Sequence, residues 1–425
     1  MEDNRTIETL ELNSMDEPAE QPTHAERKNW AVCFSPEDRG QLLTAGTGLS
    51  VFTAYNTVHV QARFTGRPEP CILQAEYRQG AAYVLAFTGA RIALYADEKL
   101  EDEDWPLGDP AFDVGGLDGI PHAICPPALA CPPDDTDGQV IDDLAAFLPS
   151  GRNCRAGDCM PFADGGRYHL FYLFDRRGHR SKYGLGAHQW DHISTDDLVH
   201  WRRHPRAVSI DKQYEASICT GSTIRCGEKY YCFYAVRMSD GSPAQLTWAV
   251  SEDGDRFVKS GQTLTLSEAY DGPSARDPKV FLGEDGQYHM LVTTTRKKTG
   301  HGALAHLTSS DLESWTEEAE PFLELTHDNQ PECSDYFAMG GRYYLLVSNY
   351  GAGRLLRSDK PFGPWEEFEN SGILPGSFRV PKVAFLGDRL IAAAFDTEGV
   401  PTYAGRIVLA EGIQQPDGSF VWKKL

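Results

Sequence analysis

The feature that most constrains this chain is a pattern that returns along its second half. One unit runs Asp158-Cys-Met-Pro-Phe-Ala-Asp-Gly-Gly-Arg-Tyr-His-Leu-Phe-Tyr172, a second Gly221-Ser-Thr-Ile-Arg-Cys-Gly-Glu-Lys-Tyr-Tyr-Cys-Phe-Tyr234. A third begins at Asp277-Pro-Lys-Val-Phe, a fourth at Glu332-Cys-Ser-Asp-Tyr-Phe, and a degenerate fifth at Val380-Pro-Lys-Val-Ala-Phe. Each reads as a strand, a glycine-bearing hairpin and a more apolar strand. Several continue into a third strand whose end carries a Ser/Asp-rich turn and a tryptophan, as in Ser194-Thr-Asp-Asp-Leu-Val-His-Trp201 and Ser309-Ser-Asp-Leu-Glu-Ser-Trp315. A period of about 55 residues built from strands alone is the signature of propeller blades. Five units fill residues 154–425, so the sequence predicts an all-β fold with a five-bladed β-propeller over that span.

In a propeller the first strand of each blade lines the central channel, so equivalent positions of successive blades converge. Asp158, Asp277 and Glu332 open three of the units and are thereby expected in one funnel. A single acid there would be no more than a turn cap. Three like charges facing one axis cost stability unless they serve chemistry. Paired carboxylates across a small pocket are the equipment of glycoside hydrolysis, in which one acid protonates the leaving oxygen and the other attacks or activates water. Crowding and partial burial raise the pKa of one member and keep it protonated near neutrality.

Composition supports a sugar substrate. Asp and Glu total 62 against 40 Lys and Arg, a net charge of −22, which repels nucleic-acid backbones. No run approaches the roughly 20 apolar residues that span a bilayer, and the acidic N-terminus lacks the basic and apolar regions of a secretory signal. The ten cysteines form no Cys-x-x-Cys pair and have no histidines at zinc spacing, which favours buried reduced thiols and a cytoplasmic protein. No metal, organic cofactor, nucleic acid or membrane is expected. The partner is a small carbohydrate, and oligomeric state is not readable.

Ahead of the propeller, residues 1–28 read as an acidic flexible tail. Residues 29–153 form a small β-sandwich-like domain followed by a long connector. Period-two alternation marks the strands, for example at Val58, Val60, Ala62 and Phe64, with Gly/Pro breaks between them. The acidic run Asp97–Asp104 and the Pro/Cys-rich stretch after it read as irregular surface chain, with one short helix at Ile141–Leu148. With no aromatic stripe in its strands, the front domain is expected to serve as a packing partner rather than as a sugar-binding module.

Several segments resemble glycoside hydrolase family 32, the invertase, inulinase and levanase family. Ala275-Arg-Asp-Pro278 resembles its Arg-Asp-Pro motif and Glu332-Cys333 its Glu-Cys motif. Trp190-Asp-His-Ile-Ser-Thr-Asp-Asp-Leu-Val-His-Trp201 is similar to its first-blade stretch, and Cys219-Thr-Gly-Ser-Thr223 to its Phe-Ser-Gly-Ser segment. The likeness covers about 155–425. It implies a retaining hydrolase of β-fructofuranosides, oligosaccharide or fructan-derived. Asp158 would be the nucleophile, Asp277 the transition-state stabiliser and Glu332 the general acid/base. Cys333 would pack behind Glu332, and Arg276 would orient the carboxylates or hold a substrate hydroxyl, or else act as an ordinary structural partner.

Two departures stand out. The family's Trp-Met-Asn-Asp-Pro-Asn-Gly is here Cys154-Arg-Ala-Gly-Asp158-Cys-Met-Pro-Phe162, which shares features with family 43 arabinofuranosidases and xylosidases. The family's β-sandwich follows the propeller, whereas here the extra β-domain precedes it. An arabinofuranosidase or other furanosidase, a fructosyl or glycosyl transferase, and a non-catalytic sugar-binding propeller therefore stand as alternatives. Gln189, Trp190 and Ser222 are the expected further substrate contacts, with His188 able either to touch sugar or to pack between blades. The charged stretch Asp175-Arg-Arg-Gly-His179 reads as a solvated rim loop and Arg296-Lys-Lys298 as surface.

Overall fold

The computed structural model describes residues 29–36, 40–125, 138–149, 154–374, 377–399 and 403–425. The expected tail at 1–28 and most of the Pro/Cys-rich stretch lie outside them. Strands arrange into seven antiparallel sheets. Five of these are the blades, each built on an up-and-down meander, with one short strand that comes earlier in the chain added at the outer edge of blade one. The innermost strands are Cys154–Asp164, Glu215–Cys226, Arg276–Leu282, Glu332–Met339 and Phe378–Leu386. Each packs against its neighbour, and the fifth packs against the first, so the ring closes. A bridge between Ala156 and Gly405 adds a backbone tie between first and last blades.

The tryptophan-bearing turns show why the repeat carries Ser/Thr, Asp and Leu before Trp. Thr195 and Ser309 accept through their hydroxyls from the backbone N–H of Leu198 and Leu312, both at 2.9 Å. Asp197 and Asp311 accept from the two N–H groups that follow, in the manner of Asx turns. The indoles of Trp201 and Trp315 then donate back to the carbonyls of Leu198 and Leu312. Blades pack through alternate inward residues such as Phe171, Trp190 and Tyr234, or Phe233, Met290 and Leu307.

The front strands form two five-stranded sheets, one centred on Tyr83–Thr88 and the other on Leu49–Ala54. The alternating Val58, Val60, Ala62 and Phe64 face a shared core with Trp30, Leu85 and Leu94. This is a β-sandwich ahead of the propeller. Three local expectations are corrected. The acidic run ends as a regular edge strand, Lys99–Asp104, because its last three carboxylates are buried against arginines. Arg176, itself buried, holds Glu103 at 2.9 Å, and Arg177 holds Asp102 at 2.7 Å and Asp104 at 2.5 Å. The Asp175–His179 stretch is thus a buried joint between sandwich and first blade rather than a solvated loop. The expected helix at 141–148 is replaced by the short strand Val140–Ile141, which adds to the outer edge of blade one, followed by a turn.

Candidate active site

Every blade interrupts its innermost strand with a bulge, two residues standing opposite one on the partner strand. The unpaired residues are Gly157–Asp158, Cys219–Thr220, Asp277–Pro278, Cys333–Ser334 and Val380–Pro381. Bulges re-aim side chains and concentrate at functional sites. Asp277, Cys333 and Val380 adopt φ of 56°, 49° and 50°, a region that β-branched valine in particular avoids. Local strain of this kind persists only where surrounding structure enforces it. Here it turns the bulge residues of several blades toward one cavity.

That cavity has a volume of about 800 Å³, and Asp158, Thr220, Arg276, Asp277, Glu332, Cys333 and Tyr403 line it. Asp158 is buried and is held at both oxygens. Tyr403 donates to Oδ1 at 2.7 Å and Thr220 to Oδ2 at 2.5 Å. The Tyr403 hydroxyl also accepts from the backbone N–H of Asp158 at 3.1 Å, which fixes the bulge itself. Cys333 Sγ stands 3.4 Å from Asp158 Oδ2 and 3.4 Å from Asp277 Oδ2, so one thiol bridges the two acids. Burial, then the charges of Asp277 and Asp158, push that thiol well up, and it remains a neutral weak donor.

Arg276 joins the other pair. Its Nη2 lies 2.8 Å from Glu332 Oε1 and its Nε 3.5 Å from Asp277 Oδ2. Its Nη1 donates to Gln330 Oε1 at 2.6 Å, and Gln330 is anchored in turn on Thr295. Glu332 is the most accessible of the three acids, its side chain 35% exposed. Asp277 is buried, and its carboxyl is raised by burial first and by the Asp158 charge second, against the pull of Arg276. Behind the cavity, burial raises the Asp335 carboxyl, but Lys279 and Lys382 more than offset this and hold it below its usual value.

A second polar group forms part of the wall. Asp175 accepts from the backbone N–H groups of Gly178 and His179 and lies 2.9 Å from His188 Nε2, which is 3.3 Å from His179 Nδ1. Burial, then the neighbouring His188, lower the His179 pKa, which favours the neutral ring. Ligand atoms of Asp175, His179 and His188 stand within 4.8 Å of one another, a spacing that can hold a cation. In the geometry here the same atoms satisfy one another by hydrogen bonds. A second such set, His192, His204 and Asp255, lies in the packing of blades one and two.

Asp158, Asp277, Glu332 and Arg276 thus come together in the cavity wall. Gln189, Trp190 and Ser222 do not. Trp190 is fully buried between blades and donates to Cys219 O, and Gln189 accepts from Ile210 N–H. Ser222 lies just past its bulge, donates to Pro278 O and accepts from Val280 N–H, stitching blade two to blade three. These three are structural residues. Thr220, Tyr403 and His179 were missed. Thr220 had a signal: Asp158, Thr220, Cys333 and Val380 each stand seven residues before a positive-φ hairpin glycine, at 165, 227, 340 and 387. Tyr403 had none, since it enters from the last blade's connecting loop.

The model of the "Glycosyl hydrolases family 32 N-terminal domain" matches residues 160–397, more than half of the chain. The chain belongs to glycosyl hydrolase family 32. The family match begins just past Asp158, where this chain departs from the usual nucleophile motif. Among curated relatives, the sucrose-6-phosphate hydrolase of Salmonella typhimurium is 31% identical over 198 residues, covering 44% of this chain and 41% of that protein. The chain therefore spans about two fifths of the length of this relative. Fructan 1-exohydrolase IIa from Cichorium intybus shares the fold at a TM-score of 0.54 and 18% identity over 64% of this chain and 59% of its own. The family 43 β-xylosidase/α-arabinofuranosidase CoXyl43, from a compost microbial metagenome, does so at 0.53 and 16% identity, over 66% and 98% respectively. No helix among the described residues is long and apolar enough to cross a membrane.

Proposed function

We propose that this family 32 member is a retaining hydrolase of β-fructofuranosides, with Asp158 as nucleophile, Glu332 as general acid/base and Asp277 as stabiliser of the fructosyl transition state. The observation that carries the reading is the linked trio itself: Cys333 joins Asp158 to Asp277, and Arg276 joins Asp277 to Glu332. Relatives named as sucrose-6-phosphate hydrolases make sucrose and its 6-phosphate the first substrates to try.

In the first step Asp158 attacks the anomeric carbon while Glu332 gives its proton to the departing glycosidic oxygen, leaving a fructosyl ester on Asp158. In the second, Glu332, now a carboxylate, takes a proton from water as that water attacks the same carbon, and Asp158 leaves as a carboxylate. Asp277 binds the ring hydroxyls, and these hydrogen bonds strengthen as positive charge develops on the ring. Thr220 and Tyr403 hold both Asp158 oxygens in place, and Arg276 orients Glu332 toward the leaving oxygen. Arg276 is thereby a positioning residue.

Sugar release from sucrose, sucrose 6-phosphate and aryl α-arabinofuranosides, by wild type and by Asp158→Asn, tests the proposal. Fructose release that disappears in the variant is expected. Release of arabinose alone would favour the family 43-like alternative, and binding without release would favour a sugar-binding propeller.

A further inference from the structure

Away from the catalytic cavity, one group of side chains carries the donors of a metal site. Blade one pairs its strands Gln189–Thr195 and Trp201–Arg203 with Ile193 opposite Arg203. His204, one residue further on, therefore falls opposite His192, and its N–H donates to His192 O at 3.0 Å. Residues directly opposite on an antiparallel pair project their side chains to the same face as close neighbours. The two imidazoles accordingly stack, with centroids 4.1 Å apart. Asp255 reaches the same place from blade two, in the turn between the strands Gln245–Ser251 and Val258–Leu264. Its Oδ1 lies 2.9 Å from His204 Nδ1. One ligand atom from each of the three residues falls within 4.8 Å of the other two.

The second nitrogen of each ring is already held from behind. His192 Nε2 lies 3.0 Å from His169 Nδ1, and His204 Nε2 lies 2.7 Å from Ser194 Oγ. Metal-binding histidines are oriented in this way, one nitrogen on the ion and the other hydrogen-bonded to a supporting group. The atom His192 has left to offer is Nδ1, and this nitrogen has no hydrogen-bond partner among the described residues. It belongs to a residue only 1% exposed. A buried polar atom in that state costs stability until something satisfies it. The set formed by Asp175, His179 and His188 differs, because its atoms satisfy one another. Access is from one side: both imidazoles are buried, whereas the Asp255 side chain is 33% exposed, so an ion enters past the carboxylate.

We propose that His192, His204 and Asp255 form a zinc site that clamps blade one to blade two. Two imidazole nitrogens and a carboxylate oxygen are a zinc donor set, and water from the Asp255 side completes the tetrahedron. Both rings bind as neutral imidazoles through Nδ1 and carry their proton on Nε2. That of His192 donates to His169 Nδ1, and that of His204 to Ser194 Oγ. On binding, each ring turns out of the stack toward the ion, and Asp255 exchanges its contact with His204 for the metal. None of the three residues lines the cavity that holds Asp158. The ion therefore acts on the cohesion of the two blades, not on the glycosidic bond, and the site stands whichever sugar the cavity takes.

Calorimetric titration of the chelator-stripped full chain with Zn²⁺ tests the proposal. One ion per chain is expected, together with a melting temperature that rises with zinc concentration. Asp255→Asn, at a partly exposed position, should weaken zinc binding at least about tenfold, and so should His204→Gln. His188→Gln, in the other Asp/His set, should leave zinc affinity unchanged. X-ray absorption by the zinc-loaded chain should find two imidazoles and light oxygen ligands around the metal. No binding by wild type, or an affinity unchanged in Asp255→Asn, overturns the site. Binding that His188→Gln abolishes, or a metal shell containing sulfur, places the ion elsewhere and overturns it equally.

Discussion

Tyr403→Phe removes one hydroxyl from the nucleophile's surroundings. Its ring packs against His188, His179 and Phe395, with centroids 5.1, 5.9 and 5.2 Å away, and phenylalanine keeps those contacts. Only the hydroxyl is lost, with its 2.7 Å bond to Asp158 Oδ1 and the 3.1 Å bond it accepts from the Asp158 N–H. A hydrogen bond to a charged acceptor is worth about 1.5–3 kcal/mol. Asp158 is a carboxylate before the first step and again after the second, and an ester between them. The hydroxyl therefore helps the carboxylate leave in the second step, and its removal leaves that departing charge less stabilised. At about 1.4 kcal/mol per tenfold, deglycosylation should slow roughly 10- to 150-fold. Formation of the ester should slow less, because loss of the same bond also destabilises the starting carboxylate. Rapid mixing with an activated aryl β-fructofuranoside then shows a burst of aryl alcohol, one per active site, followed by slow turnover. A variant that loses rate without a burst, or turns over as fast as wild type, refutes this reasoning.

Three further outcomes are expected. Glu332→Gln should lower kcat/KM, which reports ester formation, far more for sucrose than for aryl fructofuranosides, because only the poor leaving group needs the proton; equal losses in kcat/KM would contradict its role as acid. For Asp277, burial first and Asp158 second raise the folded-state pKa, so the folded chain binds this proton more tightly than the unfolded one, and the group costs stability as pH rises past about 4. Asp277→Asn should gain stability over wild type as pH rises above about 4 in urea unfolding, and a pH-independent difference would refute this. Glu103 runs the other way: burial alone would raise it, but Arg91, Arg176 and Arg206 hold it down to about 2. Its contribution is present above about pH 4.5 and is lost as pH falls toward 2. Glu103→Gln should therefore cost about 3 kcal/mol at pH 7 and progressively less in acid; a penalty that persists at pH 2.5 would contradict the buried ion pair.

Much of this was legible in the repeat. Hairpin glycines, the Ser/Thr-x-Asp-Leu turns and the alternation of apolar residues are local signals, and they place the blades. Asp158, Asp277 and Glu332 line one cavity because radial repetition turns a sequence position into a place near the axis. Ser222 faces the neighbouring blade because the bulge before it shifts which residues of that strand face the channel, and the two unpaired residues leave no mark in a period-two reading; Trp190 lies on the third strand of its blade, away from the channel. Tyr403 lies in a loop outside the repeat. The acidic run at 97–104 looked solvated because its arginine partners are some 75 residues away in the chain, as with Arg177 and Asp102. Burial of a charge depends on a partner that composition alone does not locate.

The retaining mechanism makes one covalent bond to one oxygen atom of Asp158. Glu332→Gln retains the nucleophile but has no base to activate water, so its fructosyl ester should persist after reaction with an activated aryl β-fructofuranoside. Peptide mass spectrometry of the quenched variant should then find one anhydrohexose on the peptide carrying Asp158 and none when Asp158→Asn is added. A label on a different acid, or rapid aryl release with no label anywhere, would contradict the account.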